Sequence, residues 1–138
     1  MILISCVDNS MGLRFNGRRC SRDREVCRDI LERAGGEVWL RPESAALFRD
    51  FPEARLHPVE SLADVPAGAA CFWEMPAENA AAEEIMLYLW NRDYPSDEKF
   101  QFPAGDWHCT EETEFSGFSH PEITLRRYEK GESANGEA

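Results

Sequence analysis

Residues 1–17 read MILISCVDNSMGLRFNG, and this stretch decides our interpretation of the fold. The apolar run over residues 1–7 predicts a buried first strand, which the turn-forming Asp8-Asn9-Ser10 brings to an end. Gly12 and Asn16-Gly17 follow, and these residues adopt positive φ more readily than others. A polar loop directly after a buried strand is a common place for ligands. We therefore predict that the loop after the first strand binds a ligand.

A helix is the next predicted element. Ser21 can serve as its N-cap, and we expect the helix to run to about Ala34, where Gly35-Gly36 ends it. Asp23 and Glu25 fall in its first turn, where negative charge suits the helix dipole. The apolar residues at helical spacing form its core-facing stripe: Val26, Ile30, Leu31 and Ala34.

Strands and helices alternate along the rest of the chain. Further strands are predicted at residues 37–40, 55–59, 70–73 and 85–90, and helices at residues 44–50 and 77–84. The run IMLYLW at residues 85–90 is continuously apolar, as in a strand covered on both faces. Residues 107–115 and 123–128 predict an antiparallel hairpin at one sheet edge. This alternation is typical of a layered α/β domain.

The length and the cysteine count favour one ordinary intracellular domain. A chain of 138 residues can bury a core without disulfides or a structural metal. We expect one domain over residues 1–130 and a flexible tail at residues 131–138, which are small and polar. The five cysteines are odd in number and none forms a CxxC pair, which favours reduced thiols and no metal site.

No segment of the chain reads as a signal peptide or a membrane span. The N-terminal apolar run is stopped at Asp8, with arginines soon after. No run approaches the roughly 20 apolar residues that a span requires. We expect a soluble cytoplasmic protein that does not bind membranes.

Charge is distributed unevenly along the sequence. The formal net charge of -11 disfavours binding of duplex nucleic acid. Against this background, six arginines occur within residues 14–28: Arg14, Arg18, Arg19, Arg22, Arg24 and Arg28. One basic patch on an acidic body indicates a small anionic ligand, such as a nucleotide, or an acidic protein partner.

The order of these elements resembles dihydrofolate reductase over nearly the whole chain. The first strand with Asp8, Gly12-Leu13 and Asn16-Gly17 is similar to that family's first strand and mobile active-site loop. Further landmarks follow in the family's order: Asp97, Phe100, Pro103, Trp107, His120-Pro121 and Tyr128-Glu129-Lys130. The resemblance implies a three-layer α/β fold with a mixed, mostly parallel sheet and a C-terminal antiparallel hairpin.

Positions of the family's substrate wall and catalytic acid are changed in this chain. Where the family has Leu-Pro-Trp, this sequence has Arg19-Cys20-Ser21, which replaces an apolar wall with polar residues. The family's catalytic carboxylate would fall at Val26, with Glu25 adjacent and Asp23 one turn earlier. The acid is therefore displaced or missing.

The family's cofactor motifs are changed as well. Its Gly-Arg-x-Thr motif, which holds the phosphates of NADPH, would fall at Leu40-Arg41-Pro42-Glu43 and keeps only the arginine. Its Gly-Gly pair becomes Glu74-Met75, and a carboxylate there would repel a pyrophosphate. These replacements disfavour NADPH as a cofactor, and no other cofactor is implied.

The loop arginines are the main candidate ligand-binding residues, since a guanidinium binds carboxylate or phosphate through paired hydrogen bonds. With neighbouring residues and the end of the strand at residues 85–90, the candidates are Arg14, Asn16, Arg18, Arg19, Arg22, Arg41, Asn91 and Arg92. The alternative for the helix arginines is a solvated face that pairs with Asp23 and Glu25. For Asn91 and Arg92 the alternative is a structural loop held by aromatic residues.

Three residues are candidates for proton transfer. Asp23 and Glu25 could act as proton donors, and His120 beside Ser119 could act as a general base. The sequence shows no third residue that would orient His120, so the alternative is a histidine in a capped turn. We also expect the arginines around Cys20 to lower the pKa of its thiol.

Four functions remain open at the level of sequence. The first is a binding protein for a small anionic or nucleotide-like ligand, and the second is an NADPH-dependent pterin reductase. The third is a protein-interaction module. The fourth is a ribonuclease, because residues 90–97 and Ser119-His120 resemble small bacterial proteins labelled ribonuclease Z. A metal-dependent ribonuclease of that class needs a His-x-His-x-Asp-His cluster, whereas the three histidines here are well separated.

Overall fold

A seven-stranded sheet forms the centre of the computed structural model, which describes residues 1–131. The described strands are β1 (Ile2–Val7), β2 (Gly12–Phe15), β3 (Arg18–Arg19), β4 (Glu37–Leu40), β5 (Arg55–Pro58), β6 (Ala70–Phe72), β7 (Glu84–Leu89), β8 (Glu98–Lys99), β9 (Trp107–Phe115) and β10 (Ile123–Lys130). The order across the main sheet is β5-β4-β6-β1-β7-β10-β9. Strands β5, β4, β6, β1 and β7 are parallel, and β10 and β9 add an antiparallel hairpin. The predicted mixed sheet with a C-terminal hairpin is therefore confirmed.

The continuously apolar strands lie where both faces of the sheet are covered. In β1, Leu3 and Val7 pack on one face and Ile4 on the other, and all three are buried. In β7, Ile85 and Leu87 alternate with Met86 and Tyr88 in the same way. Burial of both faces explains why neither strand shows the polar alternation of a half-exposed strand.

The helix α1 (Arg24–Arg33) packs on one face of the sheet, but its N-cap is Asp23 and not the predicted Ser21. Asp23 is extended at φ -157° and ψ 130°, and its side chain accepts a hydrogen bond from the Glu25 backbone N–H. Ser21 lies two residues before the N-cap, where its hydroxyl contacts the His120 side chain. The helix ends as predicted at Gly35-Gly36, both of which have positive φ.

Two predicted helices differ in the structure. Residues 44–50 were expected to be helical, and a 3-10 helix covers Pro42–Phe48 instead, beside α1. Residues 77–84 form no helix, so that prediction is wrong. The backbone N–H of Glu83 donates to the Met1 carbonyl at 3.1 Å, and the Met1 amine contacts the Ala81 carbonyl at 3.4 Å. A segment of eight residues gains little from helix propensity, and here it is held in an irregular path by the N-terminus.

The second outer layer consists of such irregular segments and a short 3-10 helix, Leu62–Asp64. Beside the large Trp73, three buried alanines of this layer pack with Leu3 and Leu87: Ala77, Ala80 and Ala82. The chain therefore forms the three layers that were predicted, although only one outer layer contains an α-helix. None of the helices within residues 1–131 has the length and apolar composition needed to cross a bilayer.

The stretch after β1 is a hairpin and not the loop that the sequence predicted. β2 pairs with β3 across Asn16-Gly17, where φ is 52° and 75°, as in the two-residue turns that favour such pairs. β2 also pairs with β8, so these three strands form a second, small sheet. At Gly12 a Cβ would lie 2.5 Å from the Ser96 hydroxyl, which leaves room only for glycine.

Residues 132–138, the larger part of the predicted tail, lie outside the described residues. The assignment of residues 1–130 to one domain stays a prediction.

Candidate functional site

Two adjoining clefts lie beside the β2-β3 hairpin and the end of β6, the first against α1 and the second against the 3-10 helix Pro42–Phe48. We call the first the apolar cleft; it is narrow, and its main walls are Cys6, Leu13, Val26, Ile30, Phe72 and Trp90. The second, which we call the arginine cleft, encloses about 760 Å³, counting the part open to solvent. Its lining is Arg14, Gly17, Arg18, Arg19, Arg41, Glu43, Ser44, Glu74 and Met75. Four of the predicted ligand-binding arginines thus share one cleft.

An ion pair between Arg19 and Glu74 separates the two clefts, since both residues line both. Arg19 Nε lies 2.6 Å from Glu74 Oε2 and Nη2 lies 2.9 Å from Oε1. Ser44 Oγ donates to the same carboxylate at 2.6 Å. The hydrogen bond from Arg19 to Glu74 raises the pKa of the guanidinium, which opposes the effect of its partial burial. Glu74 therefore neutralises much of the charge of Arg19 in the structure as it stands.

Two other arginines of this cleft also have carboxylate partners. Arg14 pairs through its Nε with Glu98 on β8. Arg41 Nε lies 3.0 Å from Glu43, and its Nη1 donates to the Glu60 carbonyl at 3.0 Å. These pairs fix the guanidinium groups in place around the cleft.

Arg18 differs from its neighbours. Its side chain is exposed at the turn of the hairpin, and among residues 1–131 it forms no ion pair. Its guanidinium is therefore available to an external anion.

Arg22 belongs to a different part of the surface. It lines the rim of the apolar cleft and a shallow groove that also contains Arg24, Arg49 and Asp50. In this groove the Arg24 guanidinium lies 4.2 Å from the ring centre of the exposed Phe118.

The remaining predicted ligand-binding residues do not line either cleft. The backbone N–H of Asn16 donates to Asp97 at 3.1 Å in the hairpin turn. The side chain of Asn91 donates to Thr124 Oγ1 at 3.0 Å, which ties the end of β7 to β10. Arg92 is exposed, and its carbonyl accepts from Asn9 at 2.9 Å. The side-chain contacts of Asn91 within residues 1–131 are with β10 and the residue before it, and not with the aromatic residues of the predicted structural loop.

Asp23 and His120, which are 97 residues apart in sequence, form a buried pair at the start of α1. Asp23 Oδ2 lies 2.9 Å from His120 Nδ1, and the two side chains are 0% and 3% exposed. The same carboxylate accepts from the backbone N–H groups of Glu25, Phe118 and Ser119 and from the Ser119 hydroxyl. Asp23 is thus the orienting residue for His120 that sequence reasoning did not find.

The other ring nitrogen of His120 faces hydroxyl groups. Nε2 lies 2.9 Å from Ser21 Oγ and 3.3 Å from the Tyr94 hydroxyl. The indole of Trp90 packs against the ring, with centroids 4.7 Å apart. Of the two hydroxyl groups, only that of Ser21 belongs to the lining of the apolar cleft. In the sequence, the signals for this cluster are Ser21-Arg22-Asp23 just before α1 and Ser119-His120 shortly before β10.

The two candidate proton donors are poorly suited to that task. Burial alone would raise the pKa of Asp23, but hydrogen bonds from Phe118, His120 and Ser119 outweigh it and hold the pKa well below its usual range. Asp23 is therefore ionised near neutral pH. Glu25 pairs with Arg28 at 3.2 Å and lines neither cleft. These observations weigh against a pterin reductase that uses either carboxyl.

The expectation of a reactive Cys20 thiolate is wrong. Burial, together with the negative charge of Asp8, raises the pKa of Cys20, and its sulfur faces the Pro95 carbonyl at 3.9 Å. Burial also raises the pKa of Cys27 to about 12. Among the arginines nearby in sequence, Arg19 lies on the Glu74 carboxylate. The cation that does lower the pKa of Cys20 is the distant Lys99.

The histidines do not come together in the fold. His57 stacks on Trp39 and lies 2.7 Å from Glu37, whereas His120 lies at the start of α1. Within the part of the chain that the structure describes, no three His, Cys, Asp or Glu side chains could hold a metal together. The described residues therefore give no support to the hypothesis of a metal-dependent ribonuclease.

Comparisons with known proteins support the fold. No protein-family model matches the chain, and no curated protein matches its sequence. Among solved structures it is similar to dihydrofolate reductase from Enterococcus faecalis complexed with NADP(H) and RAB-propyl, with a TM-score of 0.66. The match covers 95% of this chain and 96% of that chain at 9% sequence identity. The predicted dihydrofolate reductase-like fold is confirmed, in a chain whose sequence is strongly divergent.

Proposed function

We propose that this protein binds a small anionic ligand, of the phosphate or nucleotide class, in the arginine cleft. The observation that carries the proposal is the convergence of four arginines on one cleft, where three are held by carboxylates and Arg18 forms no ion pair among residues 1–131. The chain as a whole has a net charge of -11. The Arg18 guanidinium beside three ordered ones offers an anion a favourable position on an otherwise acidic protein.

The cleft offers hydrogen-bond donors as well as charge. Within residues 1–131, the internal hydrogen bonds use Nε of Arg14, Nε and Nη2 of Arg19, and Nε and Nη1 of Arg41. Because a guanidinium has five N–H donors, each of these groups keeps donors for a ligand. Their carboxylate partners hold the guanidinium groups in position, so a bound phosphate would cost little side-chain ordering.

The surroundings of the cleft favour a nucleotide-sized ligand. Its cavity volume, without the part open to solvent, is about 340 Å³, near the lower end of the range of small-molecule sites. The residues that correspond to the reductase cofactor motifs, Arg41 and Glu74-Met75, belong to its lining. The similar structure was solved with NADP(H), a nucleotide with phosphate groups. Glu74 occupies a position that is glycine in the reductase family. Because its carboxylate would repel a pyrophosphate, we expect a smaller anion than the dinucleotide NADP(H).

Calorimetry and thermal shift with inorganic phosphate, pyrophosphate and AMP test this proposal, with adenosine as the uncharged control. We expect stabilisation by the anions and none by adenosine, since a ligand that binds the native state raises its stability. Arg18→Ala should weaken AMP binding about fivefold, equivalent to about 1 kcal/mol.

Arg92→Ala is the matched control, because it removes the same charge from an exposed arginine outside the cleft. We expect it to leave AMP affinity within experimental error of the unmodified chain. No stabilisation by any of the three anions, or equal weakening by both substitutions, would contradict the proposal.

A further inference from the structure

Ser21, His120 and Asp23 lie in the arrangement that activates a serine hydroxyl. Ser21 Oγ is 2.9 Å from His120 Nε2, and His120 Nδ1 is 2.9 Å from Asp23 Oδ2. The Asp23 carboxylate also accepts hydrogen bonds from the backbone N–H groups of Glu25 in α1 and of Phe118 and Ser119 before β10. Its position is therefore fixed independently of the histidine. These are the relations of nucleophile, base and orienting acid that recur on unrelated folds.

The tautomer of His120 follows from its partners. Because Asp23 is an acceptor on the Nδ1 side, the ring proton of neutral His120 belongs on Nδ1. Nε2 then carries the lone pair that accepts the proton of the Ser21 hydroxyl. Trp90 packs against the ring and restricts its rotation.

Ser21 is better placed for chemistry than the other hydroxyl groups around His120. Ser119 Oγ lies on the Nδ1 side, at 3.1 Å from that nitrogen and 3.2 Å from Asp23. Tyr94 is 3.3 Å from Nε2 but does not line the apolar cleft. Ser21 lines that cleft and is half-buried, whereas Ser119 does not line it.

We propose that Ser21 is the nucleophile of an acyl-ester hydrolase site, with His120 as general base and Asp23 as the residue that positions it. The substrate class is a carboxylic ester with an acyl group no larger than acetyl, because the free volume of the cleft beside Ser21 is about 20 Å³, little more than one water, and its walls include Leu13, Val26 and Ile30. Arg22 lines the same cleft, forms no ion pair among residues 1–131, and supplies positive charge for the oxyanion. This inference goes beyond the proposed anion binding and rests on different residues.

The reaction requires only water as a second substrate. Ser21 Oγ forms a bond to the acyl carbon while its proton passes to His120 Nε2. The tetrahedral intermediate then expels the alcohol, which takes that proton, and leaves the acyl group on Ser21. Water attacks this ester, gives one proton to Nε2 and releases the carboxylic acid, and the proton returns to Ser21 Oγ.

Labelling of the full chain with an uncharged alkyl fluorophosphonate, followed by peptide mass spectrometry, tests this inference. We expect the label on Ser21, no label at that peptide in Ser21→Ala, and unchanged labelling in Ser61→Ala, an exposed serine distant in sequence. His120→Gln should lower the labelling rate about 100-fold, in a variant whose fold is checked by circular dichroism.

Labelling of the unmodified chain is by itself sufficient to test the inference. No label, or a label on Ser119 or another serine instead of Ser21, would overturn the inference. Because the reagent carries no charge, its failure beside intact AMP binding would contradict the hydrolase site alone. Failure of AMP binding with Ser21 labelled would contradict only the anion proposal.

Discussion

Asp23 shows how one buried carboxylate can organise a site. It caps α1, holds the turn that contains Phe118 and Ser119, and fixes the ring of His120. A buried charge is tolerated only where hydrogen bonds and an opposite partner replace its hydration. The same residue therefore links the helix, the turn before β10 and the candidate chemistry.

Asp23→Asn should destabilise the protein by about 3 kcal/mol at pH 7, because the amide N–H₂ would face donors where a carboxylate accepts them. The folded-state pKa of Asp23 is depressed below its ordinary value of 3.8. The contribution of ionised Asp23 to the free energy of unfolding is therefore present above about pH 4, and it is lost as the pH falls towards the folded-state pKa. Urea unfolding at pH 7 and pH 3 gives the free energy of unfolding of the unmodified protein and of Asp23→Asn. The difference between the two proteins should be smaller at pH 3. An equal difference at both values would contradict this role.

Glu74 is the residue that limits the charge of the arginine cleft, since it binds Arg19 through two hydrogen bonds. Glu74→Gln keeps an acceptor for Ser44 but removes the negative charge beside Arg19. We expect AMP to bind roughly fivefold more tightly, equivalent to about 1 kcal/mol. Calorimetry measures this, with Glu53→Gln as the control for the same charge change on an exposed glutamate outside the cleft. Weaker binding in Glu74→Gln would contradict the proposed position of the anion.

At the scale of elements, sequence patterns were reliable where burial is continuous. The apolar runs that became β1 and β7 predicted their strands almost to the residue. Short strands were harder to predict from the sequence. β2 and β3 contain four and two residues, so their pairing depends on the turn and on β8, which comes from residues 98–99. The Asn16-Gly17 turn is a local signal for the β2-β3 pair, whereas the pairing with β8 has no local signal.

The β2-β3 hairpin depends on the backbone of Gly17. Its φ of 75° strains any residue with a Cβ, at a cost of about 1 kcal/mol. Gly17→Ala should therefore raise amide hydrogen-exchange rates over residues 12–20 and weaken AMP binding.

Gly68→Ala is the matched control, because Gly68 has a φ of 78°, also has free space for a Cβ, and lies outside both clefts. It should cost similar stability without an effect on the hairpin. Equal exchange rates for residues 12–20 in the two variants would show that the turn does not hold the hairpin.

At the scale of the whole molecule, the frame of the fold could be predicted and the assembly of the site only in part. The order of strands, with a C-terminal hairpin at one edge, follows from apolar patterning and its resemblance to a known family. The arginine cleft was partly foreseen, because Arg14, Arg18 and Arg19 are neighbours in sequence. The Asp23-His120 pair was not, since it forms only when the last hairpin closes against the start of α1.

Long-range pairing also explains the incorrect expectation for Cys20. The sequence shows Arg18, Arg19 and Arg22 close to this thiol, which suggested a thiolate. In the fold, Glu74 comes from the end of β6 to neutralise Arg19, and Asp8 lies near the sulfur. Local charge counts therefore misjudge a site whose counter-charges come from distant strands.

Anion binding in the arginine cleft is tested most directly by a ¹H–¹⁵N NMR titration with AMP. We predict saturable shift changes at the backbone amides of Gly17, Arg18, Ser44 and Met75, with little change at Arg92. No saturable change in the cleft, or changes centred on Arg92, would contradict the binding site proposed for this protein.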